Sequence, residues 1–287
     1  MIKKLKIILE MIKFEHTIFA LPFAFLGAVL GSLLINGTWP TLSQWLWITL
    51  AMVGARSAAM ALNRVIDAKI DKANPRTVDR AIPAGFISMI ESIAFIIVSF
   101  ALLFYAAFML NMLAVYLLPV AVFFLVFYSY TKRFTWACHF FLGITIGIAP
   151  LGGWVGATGT LTIDAFLLFL AVALWIAGFD VIYATQDADY DKKVDLYSIP
   201  SYFGIAKALQ IARGIHLLSF IAFVSLFFMT QLGFIYLIGV IIAGAIMIYE
   251  HSLVKPDDLS KVNVAFFTMN GILSIVMLVF TIGDQML

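Results

Sequence analysis

Apolar residues run along this chain in long, nearly unbroken blocks, parted by polar intervals that alternate between short and long. The blocks lack the strict alternation of a half-buried strand, and about 20 apolar residues in a helix suffice to cross the hydrocarbon core of a bilayer. On that ruler the pattern predicts nine membrane-spanning helices, at 17–35, 42–62, 86–110, 112–128, 138–157, 165–184, 208–230, 232–249 and 264–282. The expected fold is therefore all-α, a polytopic bundle of about nine transmembrane helices forming one domain over 1–287. An amphipathic, basic segment at 1–16 precedes it. Glycines four apart at Gly27/Gly31 and Gly143/Gly147 read as places where two helices approach closely.

Composition agrees with the pattern. The chain has 287 residues, 63% hydrophobic and 12% charged, with a mean hydropathy of +1.05. That is more apolar surface than a soluble domain can enclose, so lipid is the expected solvent and the bilayer the first partner. A net charge of +2 gives no footing for nucleic acid. Cys138 is the single cysteine, which removes disulfides and cysteine-based metal sites. The first apolar block could serve as the core of a cleavable signal, but eight more follow, so it reads as an ordinary span. With the N-terminus placed in the cytoplasm, all of the 18 Lys and Arg residues except Arg56 fall in the N-terminal arm or on cytoplasmic connections and their margins. Arg56 lies inside the second span. This is the positive-inside pattern.

The long connections after the second and sixth spans, about 63–85 and 184–207, hold most of the acidic residues and are where function is expected. Each opens on D-x-x-x-D: Asp67 and Asp71 in one, Asp187 and Asp191 in the other. If the helix continues, residues four apart share a face, so each pair aims two carboxylates at one small volume. Such pairs repel unless a cation joins them, and magnesium commonly combines one or two carboxylates with water and phosphate oxygens. One isolated D-x-x-x-D is more often a pair of solvated acids neutralised by nearby Lys69, Lys72, Lys192 and Lys193. Two copies at the same end of two spans favour a shared two-metal site instead. Arg76, Arg80, Lys132 and Arg133 lie in the same or adjacent connections, with groups suited to phosphate, although each alone is explained equally well as a membrane anchor.

These stretches resemble the UbiA family of membrane prenyltransferases, which move an isoprenoid chain from its diphosphate to an aromatic or other acceptor. The resemblance rests on N-R-x-x-D-x-x-x-D at Asn63 to Asp71, N-x-R-T-x-x-R at Asn74 to Arg80 and P-x-G at Pro83 to Gly85. It continues through Y-x-x-x-K-R at Tyr128 to Arg133, Y-x-x-x-D-x-x-x-D at Tyr183 to Asp191 and S-I-P at Ser198 to Pro200. It implies that Asp67, Asp71, Asp187 and Asp191 bind two Mg²⁺ ions bridging the diphosphate, with Asn63 assisting. Arg64, Arg76, Arg80, Tyr128, Lys132, Arg133 and Ser198 would bind substrate, and Asp180 and Tyr183 would line the reacting centre. The implied partners are a polyprenyl diphosphate and an aromatic acid of the 4-hydroxybenzoate type, in quinone biosynthesis at a bacterial inner membrane.

Two departures bear on the acceptor. The first span opens on Lys13-Phe14-Glu15-His16-Thr17 rather than on a proline- and glycine-containing segment, and Phe134 follows Lys132-Arg133 where many 4-hydroxybenzoate enzymes have proline. Both resemble a bacterial subgroup of which some members prenylate 1,4-dihydroxy-6-naphthoate in a menaquinone route. Glu15 and His16 could touch the acceptor, though an interfacial pair is the commoner arrangement. His139, His216 and His251 lack metal-ligand spacing and read as structural. An ion-coupled transporter built from two repeats is the rival of another class; it predicts acids near mid-span on broken helices.

Overall fold

A computed structural model describes residues 2–12 and 17–287. Its helices are α1 (Ile2–Met11), α2 (Thr17–Gly31), α3 (Leu42–Ile66), α4 (Ala68–Ala73), α5 (Met89–Leu110), α6 (Met112–Thr131), α7 (Cys138–Thr158), α8 (Ile163–Ala184), α9 (Ala188–Lys193), α10 (Ile199–Phe203), α11 (Ile205–Met229), α12 (Phe234–Leu253) and α13 (Asn270–Met286). Two π-helical stretches, Ser32–Asn36 and Val264–Met269, extend α2 and lead into α13. Among the described residues, eight helices are long and apolar enough to cross a membrane. The first of the nine expected spans is present as a shorter apolar helix, α2, carried on by its π turn.

Helix ends follow local rules. Thr41 and Gln44 form a reciprocal cap on α3, and Ser88 and Glu91 another on α5. Each satisfies amide groups that a helix start leaves without partners. At one end of the bundle the last carbonyls of α7 are met by side chains from neighbouring elements. Gln44 donates to the Ala157 carbonyl at 2.8 Å and Asn111 to that of Val155 at 2.8 Å. These contacts add to the Gly159 amide on the Val155 carbonyl and to Asn36 on that of Ala157, so the end of the helix keeps its polar groups paired near lipid.

Packing between spans depends on small residues, because lipid chains offer no hydrophobic drive for one helix to prefer another. A methyl group built on Gly27 would overlap the Pro150 carbonyl oxygen, and one on Gly153 that of Ala24. The backbones of α2 and α7 therefore touch at two points. Gly143 makes the same approach to Ala173 of α8, so the expected role of both glycine pairs holds. Around this centre Phe23, Trp154, Trp175, Phe223 and Tyr236 are fully or nearly fully buried. The Tyr236 hydroxyl donates to the Phe223 carbonyl at 2.8 Å, which answers the need of a buried phenol for a partner. Gly153→Val forces α7 away from a carbonyl that cannot move aside. The expected loss is about 1–3 kcal/mol of stability, read as a lower melting temperature in detergent.

The connections that carry the basic residues meet at the opposite end. There α1 reaches α5 through a Lys4–Glu91 ion pair, and Arg64 Nε donates to the Met11 carbonyl at 3.4 Å. The two acidic segments differ from the expected continuous helices. Asp67 leaves the α3 conformation at φ −91°, ψ 2°, and Asp187, closing a 3₁₀ turn at Thr185–Asp187, does so at φ −103°, ψ 1°. Each D-x-x-x-D thus straddles a helix break of the same backbone shape. In the first, the Asp71 amide still donates to the Asp67 carbonyl at 2.8 Å, which keeps the acids one turn apart.

Candidate active site

A cavity of about 950 Å³ opens among these connections, and all four acids line it. Asp67, 2% exposed, sits among donors from two helices. Asn63 Nδ2 donates to its Oδ2 at 3.1 Å, Lys132 Nζ lies 3.1 Å from the same oxygen, and Arg133 Nη2 donates to Oδ1 at 3.1 Å. Asp71 accepts two contacts from Arg80 Nη1, at 2.7 and 2.8 Å. Asp187 is held by the fork of Arg76, whose Nε donates to Oδ1 at 2.7 Å while Nη2 takes Oδ2. Asp191 accepts from Ser198 Oγ at 3.2 Å. Each of the four acids has a partner that orients it, and three of the four acids have a cationic one.

The two acidic segments are tied together directly. Arg76 belongs to the first and grips Asp187 of the second. Tyr190 donates its hydroxyl to the Ile70 carbonyl at 3.3 Å, and the Tyr197 amide donates to the Lys132 carbonyl at 2.7 Å. Burial alone would depress the Arg76 guanidinium, but its hydrogen bond and charge contact with Asp187 hold its pKa above the ordinary value. Its Nη1 also donates to the Tyr183 hydroxyl at 3.5 Å.

Residues 20–272 match the model of the UbiA prenyltransferase family. The chain belongs to that family. It is 30% identical to a 4-hydroxybenzoate octaprenyltransferase of Pseudoalteromonas translucida over 77% of this chain and 76% of that one. It is 27% identical to another from Shewanella woodyi over 93% of both. Among solved structures, the apo form of a UbiA homolog from Aeropyrum pernix K1 superposes with a TM-score of 0.85, at 32% identity over 94% of this chain and 98% of that one. A UbiA homolog from Archaeoglobus fulgidus bound to GPP and Mg²⁺ shares the fold, with a TM-score of 0.74 at 18% identity over 98% of this chain and 100% of that one.

Within this UbiA protein the other expected residues divide by position. Asn63, Arg64, Arg76, Arg80, Tyr128, Lys132, Asp180 and Tyr183 line the cavity. Arg133 and Ser198 do not; they stand behind it, Arg133 on Asp67 and the Ile66 carbonyl, Ser198 on Asp191 and at the start of α10. Those two are supports for acids rather than cavity walls. The Tyr128 hydroxyl donates to the Ala59 carbonyl at 3.2 Å. Glu15 and His16 lie outside the described residues.

His139 does more than the sequence indicates. The Ile199 amide donates to its Nε2 at 3.2 Å, so the proton is assigned to Nδ1, which donates to Asp180 Oδ2 at 2.7 Å. Both ring nitrogens are engaged, so the imidazole ties the Asp180 carboxylate to the start of α10. A lone histidine in an apolar run gives no motif to find. Arg56, from α3, also lines the cavity without having carried any expectation.

The donor set suits magnesium. The acids supply hard oxygen ligands from two pairs on one cavity. That matches the magnesium habit of taking one or two carboxylates and leaving positions to water and phosphate. Below the acids, a second, apolar cavity of about 230 Å³ shares Met60, Tyr128, Leu142 and Ile146 with the first and is lined mainly from α3, α5, α6 and α7.

Proposed function

We propose that this chain transfers a polyprenyl group from its diphosphate to a hydroxylated aromatic acid of the 4-hydroxybenzoate type, in quinone biosynthesis. The observation that carries the reading is the Arg76 fork on Asp187, which joins two acid segments over one cavity. Support also comes from the octaprenyltransferase relatives and from the Archaeoglobus homolog that binds GPP and Mg²⁺. The protein is placed in the bacterial inner membrane, with its N-terminus and active site on the cytoplasmic side, because the basic residues gather at that end.

In this reading Asp67 and Asp71, assisted by Asn63, form one half of the site and Asp187 and Asp191 the other. These acids would hold Mg²⁺, two ions in this proposal, which when bound would offset charge on the diphosphate. Arg64, Arg76, Arg80 and Lys132 face the diphosphate, and Arg133 and Ser198 hold the acids in place. The C1–O bond of the prenyl diphosphate breaks with its electron pair leaving on the diphosphate. A ring carbon of the acceptor then attacks the allylic cation, forming the C–C bond. Asp180, oriented by its hydrogen bond to His139, lines the cavity with Tyr183 and receives the proton released by the acceptor. The apolar cavity takes the isoprenoid tail.

The test is to incubate purified protein with Mg²⁺, a polyprenyl diphosphate and either 4-hydroxybenzoate or 1,4-dihydroxy-6-naphthoate, then identify products by mass. Prenylated 4-hydroxybenzoate is expected. Product from the naphthoate alone would move the acceptor assignment, and no prenylated product from either would refute the reading.

A further inference from the structure

The π-helical stretch Val264–Met269 is where the bundle spends an irregular turn on the cavity wall. A π turn bonds i to i+5, widens the helix and leaves carbonyls poorly paired, and such turns concentrate at functional sites. Here Asn270 answers the loose carbonyls: its Nδ2 lies 3.2 Å from the Ala265 oxygen and 3.0 Å from that of Phe266. Asn270 is itself fixed from two other helices. Trp175 Nε1 donates to its Oδ1 at 2.9 Å, and its Nδ2 reaches Glu250 Oε1 at 3.3 Å. Asn270, Glu250 and Trp175 are all fully buried. Polar groups so deep in a membrane bundle are expensive, so they mark a place the fold holds to a set geometry.

What this latch positions is the ring of Phe266. That ring lies 4.1 Å from the Tyr183 ring at an interplanar angle of 32°, and 5.1 Å from Phe179, edge to face. Tyr183 in turn carries the Arg76 guanidinium 5.8 Å from its centroid. Passing inward from the group that grips Asp187, the order is Arg76, Tyr183, Phe266, all on the wall of the same cavity as Asp180. The carbon that loses diphosphate must sit next inward from the phosphates, against these rings. An aromatic face attracts a cation, by as much as about 2 kcal/mol where water is excluded.

We infer that Phe266, held on its π turn by the Asn270–Glu250–Trp175 latch, is the ring that faces the allylic cation and keeps water from it. The inference rests on the prenyl-transfer reading above. Phe266 touches the reacting carbon; Asn270 and Glu250 are positioning residues. The competing reaction is capture of the cation by water, whose oxygen bonds to the allylic carbon with loss of a proton, giving a prenyl alcohol in place of the prenylated acid.

The experiment compares the full-length protein with Phe266→Leu, Phe266→Tyr and Asn270→Ala, using Mg²⁺, geranyl diphosphate and 4-hydroxybenzoate, and measures the prenylated acid and the geranyl alcohols together. Leucine removes the π face at nearly constant bulk. It is expected to lower kcat about 10–30-fold, to raise the alcohol fraction severalfold, and to leave KM for both substrates within about twofold, since the effect lies in the transition state. Tyrosine keeps the face and the wild-type partition. Asn270→Ala is expected to shift the partition as leucine does with Phe266 intact. Unchanged kcat and alcohol fraction in Phe266→Leu, or a tyrosine variant that behaves like the leucine one, overturns the inference; both leave the functional reading standing. A wild-type protein that prenylates neither 4-hydroxybenzoate nor 1,4-dihydroxy-6-naphthoate, from geranyl or from a polyprenyl diphosphate, removes the functional reading and this inference with it.

Discussion

Asp67→Ala is expected to lower prenyl transfer about 10²–10³-fold, the range for removing one preorganised electrostatic element from an active site, while the protein still inserts and purifies as a folded bundle. The two outcomes can be separated because of what surrounds Asp67. Its carboxylate is almost fully buried, yet its cationic partners Lys132 and Arg133 keep about a third of their side chains exposed. Freed of their acid, they can turn towards water, so the variant leaves no uncompensated buried charge. Asn63 retains a second contact, 3.3 Å to Ser129 Oγ. Chemistry is then lost for want of a metal-binding oxygen rather than for want of a fold. Initial rates at saturating Mg²⁺ and both substrates, beside a size-exclusion profile, measure the two effects. A variant with wild-type turnover would remove Asp67 from the site; a variant that aggregates would show that its ion pairs serve the fold first.

The spans were legible because lipid makes so strict a demand. Of the nine expected, the one at 112–128 ends within three residues of the observed helix and that at 138–157 within one. The largest shortfalls came where polar residues continue a helix inside the protein. The span expected at 42–62 runs on to Ile66, because Asn63 and Arg64 face a cavity instead of bulk water and hydropathy alone cannot tell the two apart. The four acids carried by the repeated motif do line one cavity. Residues whose partners come from distant elements left no such sign: His139 and Asn270 each look like isolated polar residues in apolar runs until Asp180, Glu250 and Trp175 are brought beside them across the bundle. The helix breaks at Asp67 and Asp187 also left no mark, since neither glycine nor proline causes them. The rival transporter arrangement needed acids at mid-span on broken helices. The acids instead lie past the ends of α3 and α8, against arginines from the neighbouring segments.

Arg76→Ala is expected to reduce kcat/KM for the prenyl diphosphate about 10–100-fold, as the loss of hydrogen bonds to charged groups, about 1.5–3 kcal/mol, converts to rate. Arg76→Lys should recover only part of it. Lysine restores a point charge but not the planar fork that meets both oxygens of Asp187, nor the reach to the Tyr183 hydroxyl. Two roles are folded into this one side chain, and a double-mutant cycle separates them. If Arg76 only aims Asp187, then removing it from an Asp187→Ala protein changes nothing further. If it also grips the leaving diphosphate, the double variant falls about tenfold below the single one. The second outcome is expected, because Arg76 lines the same cavity as Lys132 and Arg80 and its side chain remains about one-third exposed there while bound to Asp187. That leaves the guanidinium a surface on the cavity with which to meet a diphosphate.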